Sequence, residues 1–202
     1  MQRAMLFAAL AATLTASAAA EAQLSYSYVS VNYIASEADT VVGEQDGTGP
    51  GIAVSFDILP FLHVFGGAKQ IELDDFPVET QSYHVGVGVH WDMAEDRSVF
   101  FNLAALEVDV DVATGLGVVG ADDDGYTYSI GYREANRRGL EFTVSADHIE
   151  LSDSDYSDTS LRLSLQFPVT RRFKIEGGVN FAGDDTFWAL GARYYFANPL
   201  AR

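Results

Sequence analysis

Large apolar side chains at every second position are the feature that most constrains how this chain folds. Residues 83–91 show the pattern clearly, because they read Tyr-His-Val-Gly-Val-Gly-Val-His-Trp. A period of two gives a β-strand one apolar and one polar face, whereas a helix needs apolar residues spaced by three and four. The sequence therefore predicts an all-β chain.

Ten segments carry this alternation, and each is close to the 9–11 residues that a tilted strand needs to cross a bilayer. The ten predicted strands cover residues 24–36, 49–59, 62–72, 81–92, 98–108, 123–133, 139–149, 158–167, 172–182 and 186–196. An even number of strands returns the chain to the side where it began. We predict a single antiparallel transmembrane β-barrel of ten strands, with eight as the alternative count.

The predicted connections are short on one side of the barrel and longer on the other. The short turns are residues 59–61, 92–97, 134–138 and 168–171. The longer loops are residues 37–48, 73–80, 109–122 and 150–157, and only the short connection at 183–185 departs from this rule. Short periplasmic turns opposite longer outer loops are typical of outer-membrane barrels.

Acidic residues concentrate on the side of the longer loops, where twenty acids occur without a lysine or arginine. They account for nearly all of the formal net charge of −17. Such carboxylates suit hard cations, so divalent cations are a candidate partner of the loop acids near 109–124 and 153–158. A solvated acidic surface is the simpler interpretation, and the negative charge argues against nucleic acid as a partner.

The polar faces of the strands carry mostly small residues, as a narrow and crowded lumen requires. Nine charged residues share these faces, and we expect them to pair because an unpaired buried charge is costly. This predicted lumen charge network comprises Asp57, Lys69, Arg133, Glu141, Asp147, Arg162, Lys174, Glu176 and Arg193. The register of the last hairpin predicts that Glu176 lies opposite Arg193. The alternative fold is a soluble ligand-binding barrel, with its apolar faces turned inward.

The N-terminal segment has the composition of a cleavable signal peptide over residues 1–22. Arg3 precedes an apolar run over residues 5–20, and Ala20-Glu21-Ala22 fits the small-x-small cleavage pattern. This predicts export, an outer-membrane location and a barrel domain over residues 23–202. The chain has no cysteine, so no disulfide supports the fold.

The end of the chain carries a resemblance to known proteins. Residues 190–196 read Leu-Gly-Ala-Arg-Tyr-Tyr-Phe, which resembles the C-terminal assembly signal of outer-membrane barrels through Gly191, Tyr194 and Phe196. The sequence departs from that signal because residues 197–202 follow the phenylalanine. Residues 24–28 and 61–67 are similar to stretches of outer-membrane-protein-A-like or porin-like barrels. The resemblance implies outer-membrane lipid and the barrel-assembly machinery as partners. It assigns no catalytic residue to this sequence.

The four histidines, His63, His84, His90 and His148, show no clear catalytic or metal-binding spacing. None begins the His-x-Ser pair of lipid A deacylase barrels. Ten-stranded omptin proteases use carboxylates and a histidine at the rim of the barrel. The one candidate for a similar hydrolase site in this sequence is therefore His84 with Asp74 and Asp75.

We therefore predict no catalytic residue, no metal site and no cofactor. The sequence leaves three functions open. They are a non-enzymatic structural or surface-interaction barrel, a narrow cation-favouring channel and a rim-site hydrolase.

Overall fold

The computed structural model describes residues 24–40, 43–74, 76–114, 117–154 and 156–196, and these residues form ten antiparallel strands. The strands are β1 (Tyr28–Thr40), β2 (Gly43–Leu59), β3 (Leu62–Leu73), β4 (Val78–Ala94), β5 (Arg97–Thr114), β6 (Gly117–Ala135), β7 (Glu141–Leu151), β8 (Ser157–Pro168), β9 (Phe173–Ala182) and β10 (Asp185–Tyr195). The prediction of ten strands is confirmed, and the alternative of eight is wrong. The predicted signal peptide lies outside the described residues. No helix long and apolar enough to cross a membrane occurs in the part of the chain that the structure describes.

The sheet closes on itself because β1 pairs with β10. The pairing runs from Tyr28 opposite Tyr195 to Glu37 opposite Thr186, and each of the other strands pairs with its two neighbours in sequence. A closed sheet has no edge strand whose N–H and C=O groups lack partners. This property allows a β-sheet to span the hydrocarbon core of a bilayer, where no water is available to hydrogen-bond unpaired N–H and C=O groups.

The polarity of the barrel is the reverse of that in a soluble protein. Only six apolar side chains are buried among the described residues, whereas seventeen polar or charged ones are. The large apolar side chains point outward instead, as Val85 does with 68% of its surface exposed. A soluble ligand-binding barrel needs the opposite arrangement, so that alternative fold is wrong.

Aromatic side chains lie at both edges of the outward apolar face, as β4 illustrates. Tyr83 and Trp91 are both exposed, and Val85 and Val87 are exposed between them. The eight residue-to-residue steps from Tyr83 to Trp91 span about 26 Å along the strand, and tilting reduces this to about 20 Å of height. This is close to the apolar band of about 25 Å, flanked by aromatic residues, that transmembrane barrels present to lipid.

The prediction of long loops is wrong for two of the four connections, because the strands continue through them. Residues 109–122 lie almost wholly in β5 and β6, which stay paired out to Thr114 opposite Gly117. The β1–β2 ladder likewise extends to Thr40 opposite Gly43. In β5 the alternation of valine and aspartate continues from Val108 to Val112, so the backbone keeps its strand pairing beyond the apolar band.

Among the acids at this end that lie in the strands and whose side chains the structure describes, most point outward rather than toward the mouth of the barrel. The β5–β6 register runs without a shift, so Asp109 and Asp111 lie on the same outer face as Phe101 and Leu103. Strand alternation places ten acids in this outward ring, which we call the acidic collar. Its members are Glu37, Asp46, Glu72, Glu79, Glu107, Asp109, Asp111, Asp122, Asp124 and Glu150.

A matched pair of substitutions tests which part of the outer face meets lipid. Val85 and Val118 are equally exposed, at 68% and 67%, but Val85 lies in the apolar band and Val118 near the tip of the β5–β6 hairpin. Val85→Arg should lower the free energy of unfolding from bilayers by more than about 1 kcal/mol and up to about 4 kcal/mol, the cost of a cation at the bilayer midplane. Val118→Arg should change it by less than about 1 kcal/mol. Equal effects in reversible unfolding from vesicles would contradict a lipid-facing band.

The acidic collar predicts a second stability effect. Asp109 lies directly opposite Asp122, and like charges opposed across a strand pair destabilise it. Asp109→Asn should therefore stabilise the protein by about 0.2–1 kcal/mol at low salt, with the gain disappearing at high salt. Denaturant unfolding at two ionic strengths measures this. Glu150→Gln is the matched control, because Glu150 lies opposite Tyr126 and Ser157 rather than another acid.

Candidate functional site in the barrel lumen

An ion-pair cluster around Glu141 fills the lumen near the end with the short turns, which we call the short-turn end. The Glu141 side chain is 2% exposed. Its Oε2 atom accepts hydrogen bonds from Arg133 Nη2 at 2.6 Å and from the Tyr195 hydroxyl at 3.1 Å. The Lys174 ammonium donates to Glu141 Oε1. One buried carboxylate is thus bound by two cations and a phenol, which compensates for the loss of its hydration.

A second ion pair lies beside this cluster, between Arg193 and Glu176. Arg193 Nη2 is 2.8 Å from Glu176 Oε2, but the two residues are not opposite each other in the sheet. Gly191 lies opposite Glu176, so the predicted register is wrong by two residues, and the ion pair forms diagonally. Such diagonal neighbours remain within reach of long side chains.

Gln166 connects the two groups of charges. In the amide orientation that satisfies both of its polar atoms, its nitrogen donates to Glu141 Oε2 at 3.0 Å and its oxygen accepts from Arg193 Nη1 at 3.0 Å. Gln166 is 1% exposed, so this bridge is fully enclosed. The two ion pairs therefore form one continuous buried network.

The remaining predicted lumen charges lie farther along the barrel or in a separate group. Arg162 Nε is 3.4 Å from Asp147 Oδ2, and the arginine side chain is 58% exposed. The Lys69 ammonium lies 5.5 Å from the centre of the Phe187 ring. Asp57 Oδ2 accepts a hydrogen bond from the Ser27 hydroxyl at 3.0 Å.

The segment just before β1 enters the lumen, which the sequence pattern did not show. Residues 24–27 are predicted as strand, but β1 begins at Tyr28, and the Tyr26 side chain is buried in the interior. The Tyr26 hydroxyl lies 2.8 Å from Ser98 Oγ. Arg133 Nη1 donates to the Ser25 carbonyl at 2.9 Å, and its guanidinium lies 5.0 Å from the Tyr26 ring. The segment thus occupies part of the lumen at the short-turn end.

Tyr26 also contacts a group of polar side chains that lie far apart in the sequence. Its ring stacks on His63 and His90, with centroids 4.7 and 4.1 Å apart. Asp57 lies opposite His63 across the β2–β3 hairpin. Hairpin pairing around residues 60–61 could have indicated this one contact. The placement of His90 and Tyr26 beside it depends on the curvature of the closed barrel.

The residues proposed for a rim hydrolase are not assembled in the described part of the chain. His84 lies opposite Gly67, six residues along β3 from the strand end at Leu73. That separation places His84 about 20 Å along the strand from the end of β3, after which Asp74 follows. Asp75 lies outside the described residues.

The three residues of the predicted assembly signal occupy different places. A side chain at Gly191 would collide with Asn32 on the lumen side, so glycine serves packing there. Tyr194 is exposed on the outer face. Phe196 follows β10 and stacks on Phe56 with ring centroids 6.0 Å apart. A role of these residues in assembly stays a prediction.

Removal of the Glu141 charge should strongly destabilise the protein. Glu141→Gln leaves Arg133 and Lys174 without their buried counter-ion, and breaking such a cluster costs about 3–5 kcal/mol. Asp147→Asn is the matched control. Its partner Arg162 is largely exposed, so its loss should cost no more than about 1 kcal/mol. Unfolding of both variants in detergent measures the difference, and equal losses would contradict a structural role for the cluster.

Comparison with known proteins identifies the fold. No family model matches the chain, and no curated protein matches it. Among solved structures it is similar to Neisserial surface protein A, with 12% identity, a TM-score of 0.52 and coverage of 85% of this chain and 98% of that one. It is also similar to the β domain of the Bordetella autotransporter BrkA, with 13% identity, a TM-score of 0.50 and coverage of 84% and 99%. Together with the closed ten-stranded sheet and its outward apolar band, these similarities show that the chain has the fold of a bacterial outer-membrane β-barrel.

Proposed function

We propose that this protein is a non-enzymatic outer-membrane barrel with a closed lumen and a structural or surface-interaction role. The observation that carries this proposal is the buried Glu141 cluster, which joins β6, β7, β9 and β10 across the lumen. Ions cannot pass through this layer unless charged hydrogen bonds break. Tyr26 adds a second obstruction on the same side.

The direction of the acidic side chains supports interaction at the outside of the barrel over cation conduction. A cation-favouring channel uses carboxylates that line its pore. Here Asp109, Asp111 and Asp122 share the outer face with the apolar band. They therefore present negative charge to the surroundings. Outer-membrane lipid, divalent cations at the acidic collar and the barrel-assembly machinery during insertion are the partners that we propose.

Single-channel recording in planar bilayers tests this function. The refolded wild-type protein should insert and give no steady conductance, with heat-modifiable gel mobility as the check on folding. Lys174→Ala opens part of the cluster while Glu141 keeps its bond to Arg133, so this variant should show brief openings. Arg162→Ala is the control, because Arg162 lies outside the cluster and should leave the protein silent.

A steady cation-selective current through the wild-type protein would contradict a closed lumen. If that current also fell in Asp109→Asn/Asp122→Asn, the protein would be a channel whose entrance is controlled by the acidic collar. A silent protein would leave the collar as the surface on which to look for binding.

A further inference from the structure

Three potential metal ligands meet at the short-turn end of the lumen, and each comes from a different strand. Asp57 of β2 lies opposite His63 of β3, and His90 of β4 donates its backbone N–H to the Phe61 carbonyl at 2.9 Å. One ligand atom from each of Asp57, His63 and His90 lies within 4.8 Å of the others. The two imidazoles are buried, with 3% and 5% of their surfaces exposed.

The distance between the two imidazoles fits shared coordination better than a hydrogen bond. His63 Nδ1 and His90 Nδ1 are 3.4 Å apart. This distance is longer than the usual donor–acceptor distance of a hydrogen bond with an N–H donor. Two nitrogen ligands of a tetrahedral Zn²⁺, each about 2.0–2.1 Å from the metal, lie about 3.3 Å apart. The rings thus hold the two nitrogens at the separation that one bound ion would require.

Neighbouring groups fix all three ligands, as the outer partners of metal ligands do. Tyr26 stacks on both imidazoles, and its backbone N–H donates to Asp57 Oδ2 at 3.2 Å. The Ser27 hydroxyl donates to the same oxygen at 3.0 Å. The His63 ring lies over Gly88, where any side chain would collide with its Nε2 edge and with Asn102 Oδ1. Glycine at position 88 therefore leaves the space that the His63 ring occupies.

We propose that Asp57, His63 and His90 form a Zn²⁺ site with three protein ligands and one position for water. Two imidazoles and a carboxylate are a ligand set that zinc prefers, whereas Ca²⁺ takes six to eight oxygen ligands. Bound zinc would join β2, β3 and β4 beneath Tyr26. It would thereby hold the N-terminal segment in the lumen. Support for this site comes from neither the acidic collar nor the proposed closed lumen.

Zinc titration of the refolded full-length protein, stripped of metal with a chelator, tests the site. We expect one Zn²⁺ per chain with a sub-micromolar dissociation constant, and Co²⁺ should give the visible absorption of a four-coordinate nitrogen and oxygen site. His63→Ala and His90→Ala should abolish saturable binding. Ser27→Ala, which removes only an outer partner of Asp57, should weaken binding about 10- to 100-fold.

His148→Ala is the matched control, because His148 lies outside the cluster with its Nε2 atom 3.9 Å from Glu150 Oε1. This variant should bind zinc as the wild type does. The proposal is overturned if folded wild-type protein binds no zinc, if binding survives in His63→Ala and His90→Ala, or if His148→Ala removes it. Should the alanine variants fail the gel-mobility check for folding, Asp57→Asn takes their place in the zinc titration, because it keeps the side-chain shape while losing the charge. Zinc binding that is as tight in Asp57→Asn as in the wild type would then overturn the proposal.

Discussion

Closure of the sheet between β1 and β10 is the constraint on which the rest of the structure depends. It leaves no strand with an open edge toward hydrocarbon among the described residues, and it gives each strand one face outside and one face inside. With ten strands the interior is narrow, so large side chains can enter only where small ones face them. Gly131 under Phe100 and Gly88 under His63 show this directly, because a side chain at either glycine would collide with the ring above it.

A narrow polar interior makes each buried charge dependent on its partners. Glu141 is stabilised because Arg133, Lys174 and Tyr195 come from strands on different sides of the lumen and converge on it. In the function that we propose, the same convergence also closes the passage, so stability and a silent lumen would have one physical cause. Arg162 and Asp147, farther from the short-turn end, form a looser pair that leaves the arginine largely exposed.

The outer face changes character along single strands. In β5 the outward positions are apolar at Phe101 and Leu103 and acidic at Glu107, Asp109 and Asp111. The strand pairing does not change at this boundary, because backbone hydrogen bonds form equally well on both sides of it. Only the surrounding medium differs, so side-chain chemistry and not secondary structure marks where the lipid band ends.

The sequence by itself determined the all-β class, the ten strands and the face on which most strand residues lie, since a period of two encodes all of these locally. It also placed the acids at one end of the barrel. It did not show that β5 and β6 continue through residues 109–122, because aspartate is typical of loops, although Val108, Val110 and Val112 keep the strand period. Only the tertiary structure decided which lumen residues meet. The contact of Tyr26 with His63 and His90, and that of Glu141 with Lys174, depend on the curvature and stagger of the closed sheet. Those are properties of all ten strands together, and no single segment of the sequence contains them.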